Sequence, residues 1–392
     1  MMAQVVSDII RQYVKELKGA RAIKTGQVER AFSRVERHKL LEWFYLTDDK
    51  GEIEYQGWRA TKRDVDAQNP DPDLLKIIYS NTSLLTKINP PSSTSQPSLV
   101  ASMLELLELK RGMNLLEIGA GTGYNAALMQ EIVGKKGHIT TIDIQEDVVE
   151  QTRRLLKASG YGEIEVIAAD GADGFPEKAL YDRIIATVGC PDISFCWLEQ
   201  LRGNGFMLIP LQHGIEGSDP LIRIWKERER LVGRVVGLSG FMSIQGELAI
   251  EQRVPFAIQA TLRDKKPAAE YPLPDLLEEM QKFREKKQWV ESCSFPFFLT
   301  IADERTFGSG LGLWDEEKGV IVVKRDKLVL YGDKSLYQDL KIFCEQWERL
   351  GKPKLSDWQL EFVPFDHAGE IPEGERTWVI ERKFSREIVR LV

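Results

Sequence analysis

The sequence is short of the residue types that most readily carry metal, thiol or imidazole chemistry. It holds four cysteines and four histidines in 392 residues. No two cysteines form a C-x-x-C pair, so neither a disulfide framework nor a thiolate metal site is expected. Cys190, Cys196, Cys293 and Cys344 read as buried small hydrophobes. His38, His138, His213 and His367 are scattered without H-x-x-x-H spacing or an acid at ligand spacing, so no metal is expected. Long apolar runs are also missing, and none approaches the roughly 20 residues that span a bilayer. Residues Met1 to Lys24 lack the basic and apolar regions of a secretory signal. Asp8 and Glu16 are out of place in a transit peptide, which leaves cytoplasmic residence as the expectation. There is no surplus of positive charge: 53 Lys and Arg face 60 Asp and Glu, a net charge of −7. That balance disfavours a duplex-binding protein, whose affinity comes from neutralising phosphates. The basic stretch Lys226 to Arg234 is broken by Glu227 and Glu229 and reads as a solvated face. No internal repeat or low-complexity tract is found.

What is present is an ordinary globular composition, 43% hydrophobic and 29% charged, over a length that predicts two domains or more. Val6, Ile9, Ile10, Tyr13, Val14 and Leu17 predict an amphipathic helix over 3–20, and a second helix is predicted over 26–45. Residues 46–72 read as an irregular excursion with a small hairpin around Asp48-Asp49-Lys50-Gly51. From Pro97 the pattern becomes regular: helix 97–109, strand 113–118, glycine turn 119–123, helix 124–133, strand 138–143, helix 146–159, strand 164–169, strand 181–188, helix 191–201 and strand 205–210. Such alternation predicts a parallel sheet with helices on both faces. Leu221–Lys226 and Leu231–Phe241 read as an antiparallel edge. Beyond a proline-rich stretch ending at Pro274, helices are expected at 275–290 and 335–350, strands through 295–332, and a strand pair Leu360–Val363 and Thr377–Phe384. The expected division is an N-terminal helical region (1–90), a core (91–250), a linker (251–274) and a C-terminal α+β domain (275–392).

The chemistry concentrates where strand 113–118 meets its turn, in Leu116-Glu117-Ile118-Gly119-Ala120-Gly121-Thr122-Gly123-Tyr124. Glycines at 119, 121 and 123 let backbone amides approach a ligand closely, since no Cβ excludes it. Tyr124 occupies the third glycine position of the dinucleotide fingerprint and is too large for it, and no G-x-x-x-x-G-K-[ST] phosphate loop occurs. What remains, E-x-G-x-G-x-G, is the pattern of class I S-adenosyl-L-methionine binders. Asp143 follows Gly119 by 24 positions at the end of the second strand, where an acid can accept from both ribose hydroxyls. Asp170 and Gly171 close the third strand, where they can meet an adenine edge. Glu117 suits the ammonium and sulfonium charges of the methionine end. The single-residue readings compete with these, since an Asp after a strand is often a helix cap and glycines at such turns are often structural. Four such features in register favour the cofactor.

Asn89-Pro90-Pro91 partly matches the N-P-P-[YF] loop of adenine and glutamine N-methyltransferases. Ser92 stands where the aromatic is needed, so these residues read as a turn. Ser93-Thr94-Ser95-Gln96-Pro97 carries more. With Leu116 to Tyr124, Tyr181-Asp182-Arg183-Ile184-Ile185-Ala186-Thr187 and Leu198-Glu199-Gln200-Leu201, it resembles the protein-L-isoaspartyl (D-aspartyl) O-methyltransferase family over roughly 26–246. The family's T-I-S-[QA]-P motif puts its active-site serine on Ser95 and its threonine on Ser93. The resemblance implies a class I methyltransferase, a Rossmann-like doubly wound α/β sheet, with N-terminal helices and a C-terminal α+β extension. It implies S-adenosyl-L-methionine as cofactor and a protein or peptide carrying isoaspartyl or aspartyl residues as partner, with neither nucleic acid nor membrane. Ser95, Thr94 and Ser93 would be catalytic. Glu117, Gly119, Gly121, Gly123, Asp143, Asp170, Gly171 and Thr187 would bind the cofactor.

The sequence departs from the family at Phe241-Met242-Ser243-Ile244-Gln245-Gly246, where the family usually reads F-V-P-L-x-G, and in the residues after it, which lack a counterpart in the short repair enzymes. Ser92–Val100, Ile185–Gly189 and Gly240–Met242 are similar to long relatives that methylate one aspartate of a ribosomally made, modified peptide, yielding an aspartimide. The acceptor is therefore expected to be an isoaspartyl side chain or, alternatively, the aspartate of a precursor peptide recognised by the C-terminal domain. A non-catalytic binding protein on the same fold and a nucleic-acid methyltransferase are the lower alternatives. A carboxylate nucleophile is already ionised at neutral pH, in keeping with the lack of an obvious general base. Ser95 would orient it by a hydrogen bond; the competing reading makes Ser95 a helix cap just ahead of Pro97.

Overall fold

Short, almost continuously apolar strands between amphipathic helices are what a sheet buried on both faces requires. In the computed structural model they form such a sheet. The described residues are 2–47, 53–55, 58–215, 219–228, 230–250, 262, 265–285, 289–307, 312–324, 326–366 and 374–392. The chain divides into two compact units, Met1–Thr187 with Phe195–Leu208 and Gln245–Glu247, and Val188–Ser194 with Ile209–Ile244 and Leu248–Val392.

The first unit begins with α1 (Met2–Gly19), whose buried Val6, Ile10, Tyr13, Val14 and Leu17 form one stripe, and α2 (Gly26–Arg34). The helix expected to run to residue 45 stops at Arg34. Val35 turns extended, Arg37–Leu40 forms a 3-10 turn, and the rest becomes strand β1 (Trp43–Thr47). Strand pairing wins because it gives buried Phe44 a sheet environment while Thr47 stays exposed. The stretch 46–72, read as irregular, supplies β2 (Ile53–Tyr55) and β3 (Trp58–Asp64); the hairpin tip expected at Asp48–Gly51 lies outside the described residues. After α3 (Pro72–Ile78), the hairpin β4 (Leu84–Ile88) and β5 (Pro91–Thr94) completes a sheet ordered β2-β3-β1-β4-β5. Asn89 and Pro90 make its turn, as read.

Helix α4 (Pro97–Leu106) leads into β6 (Asn114–Ile118), α5 (Tyr124–Val133), β7 (His138–Asp143), α6 (Glu146–Ala158), β8 (Glu165–Ala168), β9 (Tyr181–Ala186), the short α7 (Phe195–Glu199) and β10 (Leu201–Pro210). Strands β8, β7, β6, β9 and β10 lie parallel in that order. The reversal beside β6 creates the switch point at which such sheets bind ligands. The helix expected at 191–201 shrinks to five residues, since the segment before it is taken up by other bonds: Cys190 bridges to Leu211, and Asp192 accepts from the amides of Ile193 and Ser385.

In the second unit β11 (Asp219–Glu227) and β12 (Arg230–Ser239) pair antiparallel, as expected, but β12 is no edge: it also pairs with β18 (Trp358–Pro364). Much of the expected linker, 251–261 with 263 and 264, lies outside the described residues, and Ala269–Pro272 forms strand β13. Helices α8 (Asp275–Glu285), α9 (Trp289–Ser292) and α10 (Ser294–Ala302) follow. Helix α10 corrects a strand assignment: eight of its nine residues are buried, and an apolar run that short has no periodicity to separate helix from strand. Strand β13 then pairs with β17 (Lys327–Gly332) in a sheet with β14 (Thr306–Phe307), β15 (Gly312–Asp315) and β16 (Gly319–Lys324). After α11 (Ser335–Arg349), the expected C-terminal strand pair is corrected to three strands, with β20 (Ser385–Leu391) between β18 and β19 (Thr377–Glu381). A core of aromatic rings stabilises this unit: Trp358 lies 5.2 Å from Trp378 and 5.5 Å from Phe297, centroid to centroid.

Cys190 and Cys344 are buried, as expected of small hydrophobes, but Cys196 is exposed and Cys293 half-buried. All four are free. Among the described residues no helix is long and apolar enough to cross a membrane.

Candidate active site

The turn after β6 is built from backbone that only glycine adopts without strain. Gly119, Gly121 and Gly123 have φ of 97°, 50° and 77°. Each also meets a close neighbour or a specific bond. The Gly119 amide donates to Ile142 O at 2.8 Å. A Cβ on Gly121 would lie 3.0 Å from the carbonyl oxygen of Ser93, and one on Gly123 would lie 2.9 Å from Thr152 Cγ2 and 3.0 Å from Leu156. The Thr152 hydroxyl donates to Gly121 O at 2.6 Å. The close packing that the dinucleotide fingerprint assigns to a later glycine is therefore done here by Gly123, against α6.

Asp143 ends β7 beside this turn. Its Oδ2 accepts from the Gly121 amide at 3.3 Å and its Oδ1 from the Gln145 amide at 3.1 Å. Burial raises its carboxyl above the usual range, and these amides pull it back. Asp170 closes β8 one strand over, where Ala168 partners Asp143. Its Oδ1 accepts from the Ala172 amide at 2.9 Å and its Oδ2 from the Glu247 amide at 2.8 Å. Gly171 O accepts from the Trp197 indole at 2.8 Å. Thr187, just beyond β9, donates to Gly119 O at 2.7 Å. Glu117 is 1% exposed in β6, and its Oε1 accepts from Asn125 Nδ2 at 2.7 Å. Burial pushes its carboxyl up to about 7, against the opposing pull of Asn125.

The hydroxyl segment reaches this turn as strand β5. Ser93 O rests on Gly121, and Pro91 O accepts from Gln145 Nε2 at 3.3 Å. Ser92 and Thr94 are buried, whereas Ser93 and Ser95 are half-buried. Ser95 is not the cap of α4. That position is Gln96, which makes no side-chain cap bond, and Asn81 Oδ1 takes the Ser98 amide at 2.9 Å. Among the described residues the hydroxyls of Ser93, Thr94 and Ser95 make no hydrogen bond.

The residues fit a nucleoside cofactor on observations of the fold itself. The turn presents a run of left-handed glycine backbone without side chains, and buried Glu117 Oε2 and Gln145 Oε1 have no protein partner. Glu117, Gly119, Gly121, Gly123, Asp143, Asp170, Gly171 and Thr187 all come from the C-terminal ends of β6, β7, β8 and β9 or the turns that follow. Sequence reasoning missed Gln145, Asn125 and Thr152; Gln145 and Thr152 carried no motif signal, and Asn125 only its place beside Tyr124.

This sheet, its glycine turn at the switch point and its strand-end acids define a class I S-adenosylmethionine-dependent methyltransferase. The family described as protein-L-isoaspartate(D-aspartate) O-methyltransferase (PCMT) matches residues 10–247. The chain belongs to that family. A protein-L-isoaspartate O-methyltransferase of Ignicoccus hospitalis is 39% identical over 160 residues, covering 41% of this chain and 74% of the relative. One of Pyrococcus horikoshii is 34% identical over 227 residues, 58% of this chain and 84% of the relative. A solved structure titled protein-L-isoaspartate O-methyltransferase shares the fold with a TM-score of 0.52 at 23% identity, covering 90% of this chain and 96% of that one. That fold likeness takes in most of the C-terminal third, for which the sequence suggested no counterpart in the short enzymes.

Proposed function

We propose that the chain methylates the side-chain carboxylate of L-isoaspartyl residues in proteins and peptides, with Ser95 orienting the acceptor and Thr94 and Ser93 beside it. The observation that carries this reading is the seating of Ser93 O on Gly121, which puts the hydroxyl strand against the glycine turn. When bound, S-adenosylmethionine supplies an electrophilic methyl group, which a carboxylate oxygen takes in line as the carbon–sulfur bond breaks and its electron pair stays on sulfur.

No proton has to move, because the acceptor is already an anion at neutral pH. The protein's contribution is geometric: to hold one oxygen in line and to keep water away. A half-buried serine whose hydroxyl makes no bond within the protein suits the first task, since that hydroxyl can donate to the anion at no cost in protein hydrogen bonds. Thr187, fixed on Gly119 O, and Asp143, fixed on Gly121 N, help hold the turn rigid. Glu117 and Asn125 lie under the same turn and would meet the amino-acid end of the cofactor; Asp143 would meet the ribose.

The test is Ser95→Ala, assayed with labelled cofactor on matched isoaspartyl and aspartyl peptides by base-labile methanol release. The expected result is labelling of the isoaspartyl peptide by the native chain. Turnover should fall at least about tenfold in the variant, with binding of S-adenosylhomocysteine by calorimetry unchanged. Parallel loss of turnover and binding would refute the role of Ser95. Absence of labelling of the isoaspartyl peptide by the native chain would refute the substrate.

A further inference from the structure

The segment carrying Ser95 is held from behind by a buried cation that no motif marks. Arg37 sits in the 3-10 turn after α2 and is fully buried. Its Nη1 donates to Ile78 O at 2.6 Å and to Ser80 O at 3.4 Å. Its Nη2 donates to Thr82 O and to Ser95 O, both at 3.1 Å. The guanidinium carbon also lies 5.7 Å from the centroid of Tyr124, the first residue of α5 after the glycine turn. Among the described residues Arg37 makes no ion pair, and its Nε is buried without a partner. Asn81 completes the clamp: its Oδ1 takes the Ser98 amide at 2.9 Å and its carbonyl accepts from Gln96 Nε2 at 3.2 Å.

Burying a cation without a counterion is costly, and an apolar side chain would fill the space more cheaply. What the planar fork adds is several directed N–H donors at once, fixing carbonyls that belong to different segments. Three of the four carbonyls lie in the 78–82 turn and the fourth is that of the serine read as meeting the acceptor. We propose that Arg37, with the 78–82 turn it pins, is a positioning residue for methyl transfer. Through the carbonyl of Ser95 it fixes where that residue's hydroxyl stands relative to the glycine turn, and through Tyr124 it ties this setting to α5. The proposal rests on the reading of Ser95 as the residue that orients the acceptor.

The experiment compares the full-length native chain with Ser95→Ala, Arg37→Gln, Arg37→Lys, Asn81→Ala and the double variant Ser95→Ala/Arg37→Gln. It measures kcat and KM on an isoaspartyl peptide and calorimetric Kd for S-adenosylhomocysteine. Misplacement of the acceptor should lower kcat by about 10- to 100-fold in Arg37→Gln, while Kd changes by less than about threefold. A single point donor should rescue only part of this in Arg37→Lys. Because Arg37 acts through Ser95, the double variant should be no worse than the poorer single one by more than about threefold. Folded Arg37→Gln or Arg37→Lys with native kcat overturns the proposal, as do losses that multiply in the double variant. If neither Arg37 variant folds, exposed Asn81 decides: lower kcat with native Kd supports the clamp, and native kcat overturns it. Native kcat in Ser95→Ala would instead remove the underlying reading.

Discussion

At the scale of single residues the site's most unusual group is Glu117, an acid that sits 1% exposed with one oxygen unpartnered. Its carboxyl is pushed by burial to about 7, whereas an unfolded chain ionises it near the ordinary value of about 4.3. Between these values the folded state holds a proton that the unfolded state has released, so stability falls as pH rises from about 4.3 through 7. The loss is on the order of 3 kcal/mol across that window. Glu117→Gln removes the ionisation, so in the ligand-free protein it is expected to raise the melting temperature at pH 8 relative to the native chain and to change it little at pH 5. Thermal melts at the two pH values check this; an equal shift at both would contradict it. The sequence marked Glu117 as a ligand candidate. Its burial depends on Asn125 and on the strands beside β6, which no local pattern reports.

At the scale of elements, the glycine turn shows how much of a site can be legible in one segment. The turn, β7, α5 and α6 lie where periodicity puts them, because their apolar spacing and their packing agree. Gly123 separates structure from function within that turn. Gly123→Ala would press its Cβ against Thr152 and Leu156 at φ 77°, and about 2 kcal/mol of destabilisation is expected. Gly121→Ala would press instead on Ser93 O, so its larger effect should be on kcat. Urea unfolding and kinetics on the pair test this division; equal stability loss with equal kcat loss would contradict it. Where element assignment failed, local and tertiary preferences disagreed. The helical spacing expected through residue 45 gives way to a 3-10 turn at Arg37–Leu40 and to β1 from Trp43, and Ser294–Ala302 is apolar enough for a strand but long enough only for a short helix.

At the scale of the whole molecule, the second unit carries a buried polar network that no spacing rule finds. His213 Nε2 lies 3.0 Å from Glu387 Oε2, and Arg382 grips the same oxygen and the carbonyls of Pro191 and Gln212. Burial opposes ionisation of Glu387, but His213 and Arg382 facing it hold its carboxyl well below the usual range; burial lowers His213, against the opposing pull of Glu387. Asp192, fully buried, accepts from the amide of Ser385 at 3.1 Å. Arg382→Met would take the buried guanidinium from Glu387 and leave its charge facing His213 alone, and about 3 to 5 kcal/mol of destabilisation is expected. Chemical denaturation checks it, and a loss below about 1 kcal/mol would show that the unit tolerates the break. The long relatives with dedicated peptides suggested a recognition role for this part of the chain.

The sequence by itself determined the class of the sheet, the glycine turn and the hydroxyl motif. These depend on apolar period and on glycines whose conformation no other residue tolerates, and both are properties of neighbours along the chain. Only the tertiary structure decided that Ser93 rests on Gly121, that Gln96 rather than Ser95 caps α4, and that Arg37 reaches Ser95 across 58 positions. Those contacts join segments with no shared period, and burial selects them only once the strands are paired.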